Sequence, residues 1–175
     1  MRLFTSIFIM MALPSVVFAA SRHAAPARDD ARVDLFAGFS HAKAGDATVN
    51  GGELSASFPF RNRLRIAVDL AHESGTFGAA DVGETSLLAG PALAWRHQRL
   101  RPFARLMVGA IRERTEAAGL AQSETHLGLA LAGGSDYVLS KSWAARVQAG
   151  LWFVRGETTD TNLHLSIGAV YRFKI

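Results

Sequence analysis

From residue 162 to residue 173 the chain alternates without a break. Leu163, Leu165, Ile167, Ala169, Tyr171 and Phe173 fall on one side, and Asn162, His164, Ser166, Gly168, Val170 and Arg172 on the other. A period of two places successive side chains on opposite faces, so this stretch is a β-strand and not a helix. Its apolar side runs for about a dozen residues and finishes in two aromatic rings, which fits a strand crossing a bilayer with its rings at the interface.

The opposite end of the chain carries an export signal. Arg2 precedes an apolar run, Leu3 to Val17, broken only by Thr5, Ser6, Pro14 and Ser15, and Val17-Phe18-Ala19 places small residues where a signal peptidase reads them. The run is shorter than the ~20 apolar residues of a spanning helix. Residues 1–19 are therefore assigned as a signal peptide cleaved after Ala19, residues 20–31 as a short polar tail with His23, Pro26, Arg28, Asp29 and Asp30, and residues 32–175 as one domain. No later segment is apolar for long enough to be a membrane helix, so any membrane crossing must be made by strands.

The same alternation recurs along the domain, over 32–42, 52–60, 64–73, 83–95, 102–112, 123–134 and 142–154, before the terminal strand. Eight strands, an even number, joined closely enough for each pair to be antiparallel, predict an all-β fold: an eight-stranded antiparallel up-and-down transmembrane β-barrel. Longer polar loops are expected at 43–51, 74–82, 113–122 and 155–160, and tight links at Arg61-Asn62-Arg63, at 96–101 and near Leu139-Ser140-Lys141.

Alternation alone does not say which face looks outward. In a soluble lipocalin-like carrier the apolar set points inward, exposing Phe36, Phe103 and Trp152 and walling a ligand cavity with leucines; in a membrane barrel the two faces exchange roles. Three features select the membrane arrangement. The polar set is rich in small residues, among them Gly38, Ala67, Gly90, Ala92, Gly128, Ala130, Gly150 and Gly168, as a crowded lumen requires. The apolar set ends in Phe58, Phe60, Trp95, Phe153, Tyr171 and Phe173, like an interfacial girdle. All three lysines (Lys43, Lys141, Lys174) fall in loops, turns or the terminus, whereas Arg65, Arg105, Arg146 and Arg172 take polar-face positions, where a planar guanidinium fork can pair with buried carboxylates.

Taken from about Val33 to Phe173, the chain resembles the small outer-membrane barrels of the OmpA/OmpX type, grouped as single-domain outer membrane protein β-barrel domains. The likeness is carried by VDLFAGFSHA, by LLAGPALAWR with RPFARLMVGA, by ALAGGSDYVLSKSWAARVQ and by NLHLSIGAVYRF. It implies residence in the bacterial outer membrane, contact with its lipids and lipopolysaccharide, and insertion by the outer-membrane assembly machinery. One departure is that Lys174 and Ile175 follow Phe173, where the family commonly stops on the aromatic.

Function is read from what the lumen holds. Asp34, Glu53, Arg65, Asp69, Arg105, Glu124, His126, Arg146 and His164 share the inward parity, predicting a lumen filled by side chains and ion pairs, not a wide pore. The chain has no cysteine and six scattered histidines, so no thiolate metal site exists and no metal or cofactor site is assigned. A formal charge of +4 is too small an excess to indicate nucleic-acid binding. Two groupings touch on catalysis of the lipid A deacylase kind: His164 with Ser166, and His72-Glu73-Ser74. The first faces inward, beyond the reach of lipid, and neither has an acid in a forced position, so no catalytic residue is assigned and the expected role is a structural or surface one, as a monomer. Acidic residues of the longer connections (Asp46, Asp81, Glu84, Glu113, Glu116, Glu157, Asp160), with Lys43, Arg114 and Arg155, are expected outside the cell. Arg61, Arg63, Arg96, Arg99, Arg101 and Lys141 are expected at the periplasmic end, either as solvated turn residues or as a basic ring near anionic headgroups or cell wall.

Overall fold

The computed structural model describes residues 32–44, 47–78, 80–117, 120–155 and 159–174. The expected signal peptide (1–19), the expected polar tail (20–31) and Ile175 lie outside them. Eight strands follow in order: β1 (Arg32–Ala44), β2 (Ala47–Arg61), β3 (Leu64–Phe77), β4 (Ala80–Ala94), β5 (Leu100–Ala117), β6 (Leu120–Val138), β7 (Trp143–Arg155) and β8 (Thr159–Lys174). Each pairs antiparallel with the next, and β1 pairs with β8 from Arg32↔Lys174 to Lys43↔Leu163, closing an up-and-down barrel with no free sheet edge.

Register fixes the inside. Pairing such as Leu35↔Ala56, Val68↔Ala89 and Val108↔Leu129 keeps one parity together round the wall. Following partners once round the barrel returns to β1 with a stagger of about ten residues, which tilts the strands into the usual 35–45° range for barrels of this size. The outcome is the inverted arrangement. Leu163 and Ile167 are 41% and 58% exposed, while Arg105 and Arg146 are each 3% exposed. Phe36, Phe103 and Trp152 are buried, which removes the geometry on which a soluble carrier depends. Among the described residues the buried polar or charged side chains number 18 against 16 apolar ones, and 26 large apolar side chains are exposed on the wall.

The strand ends differ from expectation. The stretches 74–82 and 113–122, read as loops, are strand for most of their length: β3 and β4 meet at Phe77↔Ala80 and β5 and β6 at Ala117↔Leu120. Beyond the apolar band both faces of a hairpin meet water, so polar side chains occur on both and the period of two disappears, while the backbone ladder continues. Likewise β6 runs on through Gly133 and Gly134 to Val138, and β5 begins at Leu100 within the expected basic turn. At the terminus-bearing end the turns are tight, with Asn62 and Gln98 in the left-handed region at φ 49° and 52°. Asparagine accepts that conformation more readily than most residues.

Candidate functional site

Among the described residues the buried charges lie in the lumen, and its chemistry changes along the barrel axis. Nearest the chain termini, Arg146 forks onto Asp136, Nε to Oδ1 at 2.6 Å and Nη2 to Oδ2 at 3.0 Å. Arg65 Nη2 lies 3.2 Å from Asp34 Oδ2, and its Nε donates to Ser57 Oγ at 2.8 Å. Arg172 reaches the same two carboxylates at longer range, 3.4 Å to Asp136 Oδ2 and 3.6 Å to Asp34 Oδ1. Above them Arg105 Nη1 sits 2.8 and 2.9 Å from the two oxygens of Asp69. The guanidinium groups of Arg105 and Arg146 both lie 4.6 Å from the centre of the Phe103 ring, so one aromatic carries two cations.

Two glycines make room for the rings of this layer. A Cβ at Gly38 would strike the Phe36 ring, and one at Gly134 would sit 2.7 Å from Phe103 Cζ. Gly38 and Gly134 are thus seats for aromatics, while Gly128 makes room for Ile111 and Gly90 and Gly168 allow close approach of the neighbouring backbone.

Toward the far end the sign reverses. Gln148 Nε2 donates to Glu53 Oε1 at 2.5 Å, and His164 Nε2 lies 2.7 Å from Glu73 Oε1. The His164 ring stacks on Trp152 with centroids 4.3 Å apart and planes 12° from parallel. Glu84 is buried in the same region. An apolar cluster of Ala71, Leu88, Met107, Ile111, Ala130, Trp152 and Val154 occupies the lumen there. Arg65, Arg105 and Arg146 are thus each held against a carboxylate, because a buried ion without a partner costs several kcal/mol, and the far-end carboxylates lie around a greasy plug.

The inward-parity set largely meets as expected: Asp34 with Arg65, Asp69 with Arg105, and Glu53 and His164 on the lumen wall. Glu124 departs from it. It is exposed near the β5–β6 tip, where it lies 3.5 Å from His126. Glu84, expected on an outer loop, is instead a lumen residue of β4. Asp136 and Gln148 are structural partners that sequence reading did not single out, and Glu73, weighed there only beside His72 and Ser74, is the lumen partner of His164. Parity applied to the full strand lengths places all three side chains inside.

The His72-Glu73-Ser74 grouping is divided by the wall. His72 and Ser74 are exposed on the outer face, where His72 Nδ1 is 2.8 Å from Thr85 Oγ1, while Glu73 points into the lumen and holds His164. His164 and Ser166 are both buried inside. Among the described residues no group of three metal-ligating side chains comes together.

No protein-family model matches the chain, and no curated protein matches it in sequence. Solved structures do match in shape. Neisserial surface protein A is similar at 19% identity and a TM-score of 0.64, over 82% of this chain and 96% of that one. Ail, the attachment invasion locus protein of Yersinia pestis, is similar at 17% identity and a TM-score of 0.61, over 82% and 99%. The outer membrane protein OprG of Pseudomonas aeruginosa is similar at 12% identity and a TM-score of 0.60, over 83% and 97%. At these identities the likeness shows the fold, that of a small outer-membrane β-barrel.

Proposed function

We propose that the chain is a small integral protein of the bacterial outer membrane, with a structural or surface-interaction role and a lumen closed by its own side chains. The observation that carries this reading is the inversion: leucines and aromatics on the outside of a closed barrel, ion pairs inside. Outer-membrane barrels of matching shape support the location. The terminus-bearing end, with its short turns, is periplasmic, and the four hairpin tips at the other end face outward from the cell.

A surface role is supported by the β5–β6 hairpin. Residues 114–117 and 120–125 are exposed on both faces, so this hairpin stands clear of the barrel rim. The outer wall contacts outer-membrane lipids and, at the outward rim, lipopolysaccharide. We assign no catalysis, because Glu73 lies across the wall from His72.

Fractionation followed by gels of boiled and unboiled samples tests the location. The protein is expected in the outer-membrane fraction with heat-modifiable mobility, and recovery in the soluble wash refutes the reading. In whole cells, a thiol reagent labels Ser123→Cys but reaches Arg99→Cys only after permeabilisation; the reverse pattern refutes the orientation. Reconstituted protein is expected to give no stable conductance steps, and reproducible porin-like currents refute the closed lumen. Changed lipid A acylation on overexpression, abolished by His72→Ala, would replace the structural role with an enzymatic one.

A further inference from the structure

One rung at the far end of the barrel carries four carboxylates. In the register Glu73 stands opposite Glu84, Glu84 opposite Glu113, and Glu113 opposite Glu124, so each strand from β3 to β6 places a glutamate on the inward face at the same level. Directly opposed side chains have Cβ atoms about 5 Å apart, and like charges at that spacing destabilise the pairing of their strands. Burial grades along the rung: Glu73 and Glu84 are 1% and 7% exposed, Glu113 is half-buried and Glu124 is exposed. We propose that this rung is a proton-operated clasp, closed when its buried members hold a proton and loosened when they lose it.

The bases nearby are spent on other members. His164 meets Glu73 at 2.7 Å and His126 lies 3.5 Å from Glu124, which leaves the two middle glutamates. Among the described residues Glu84 makes neither a hydrogen bond nor an ion pair. Glu53, facing the same region from β2, is held by the Gln148 amide and not by a cation, and Arg105 is taken by Asp69. Arg112 and Arg114 lie on the outer face, where they bond Ser123 Oγ at 3.2 Å and Glu116 Oε2 at 3.1 Å. Two residues along β4 from Glu84, and on the same face, the buried Ser86 Oγ also has no hydrogen-bond partner. A carboxylate buried without a partner takes up a proton in preference to staying charged.

The rung lies beyond the lipid band. On the outer face the last apolar rung of these strands is Leu70, Leu87, Ala110 and Leu127, and the next is His72, Thr85, Arg112 and Thr125. Burial, with Glu73 and Glu113 alongside, pushes the Glu84 carboxyl from the ordinary 4.5 up to about 7. The closed form therefore holds a proton that the loosened, hydrated form releases. Closure weakens as pH rises from 4.5 to about 7 and stays at its weaker level above that. The strands so governed include both arms of the β5–β6 hairpin, so the clasp sets how firmly that hairpin is rooted.

Two measurements on the full barrel in a non-ionic detergent test this. In carboxyl-carbon NMR, the glutamate signal that disappears in Glu84→Gln is expected to titrate near 7 in the parent; a midpoint near 4.5 overturns the proposal. In hydrogen exchange, with intrinsic rates divided out, protection of amides 82–86 and 111–115 should fall at least tenfold between about pH 5 and about pH 8, while amides 64–68 stay within about twofold. Glu84→Gln, neutral at both pH values, should keep the higher protection throughout, and Glu124→Gln, at the exposed end, should keep the parent's pH dependence. If Glu84→Gln fails to refold, Glu113→Gln takes its place and should shrink the change in protection. Protection in the parent that does not vary with pH, or an undiminished change in the variant at the buried end, overturns the clasp. Both readouts need only the folded barrel, so their failure is separable from an error in location.

Discussion

Removing Asp69 tests whether the lumen is held by pairing or merely filled. Arg105 is almost fully buried and has its Nη1 at 2.8 and 2.9 Å from the Asp69 oxygens. At an effective dielectric of about 20 the attraction at that distance is roughly 6 kcal/mol, most of it offset by the cost of desolvating both ions. Asp69→Ala leaves the guanidinium inside without its carboxylate, with the Phe103 face 4.6 Å away as a weaker anchor. The variant should lose about 3–5 kcal/mol of unfolding free energy. Asp69→Leu/Arg105→Met, which removes both ions at similar total volume, should return to within about 1.5 kcal/mol of the parent. Urea titration of protein refolded in vesicles, followed by tryptophan fluorescence and by the heat-modifiability gel, measures both. A single variant that loses under about 1 kcal/mol, or a double variant as weak as the summed singles, refutes the paired-lumen account.

Other positions separate wall, seat and plug. Leu131, paired in register with Leu106 and Leu151 on the outer face, should cost about 2–4 kcal/mol when changed to Arg, whereas Ser123→Arg on the protruding hairpin stays within about 0.5 kcal/mol in the same titration. Gly134→Ala sets a methyl against the Phe103 ring and the Val147 backbone and should cost about 1–3 kcal/mol; Gly52→Ala, whose methyl meets only Gly38 O at 3.8 Å, is the control. Met107→Ala/Ile111→Ala thins the apolar plug, and conductance steps appearing in that variant but not in the parent would locate the seal there.

Parity carried most of the fold. Because side chains alternate strictly across a strand, one apolar face and one polar face define wall and lumen, and the small residues and arginines of the polar face select inversion. Strand ends were less visible for a physical reason: past the lipid band neither face is apolar, so Ser74 and Glu113 look like loop residues while their backbones still pair. The same blindness moved Glu84 to a loop and stopped β6 short of Asp136, since Gly133-Gly134-Ser135 reads as a terminator. The pairings across the lumen were hidden more deeply. Gln148 meets Glu53 across the bore. A one-dimensional pattern shows that both point inward, but not that they touch.

The uneven placement of charge also bears on how the molecule enters a membrane. The hairpin tips that must travel across carry mixed signs, as in the Arg114–Glu116 contact at 3.1 Å, whereas the trailing rim holds Arg61, Arg63, Arg96, Arg99 and Lys141. Dragging a cationic crown through hydrocarbon is far costlier than passing tips whose charges offset one another. On the proposed orientation the arginine-rich rim trails and the hairpin tips lead, so the side of the membrane on which that rim ends is set by the charge that would have to be carried across.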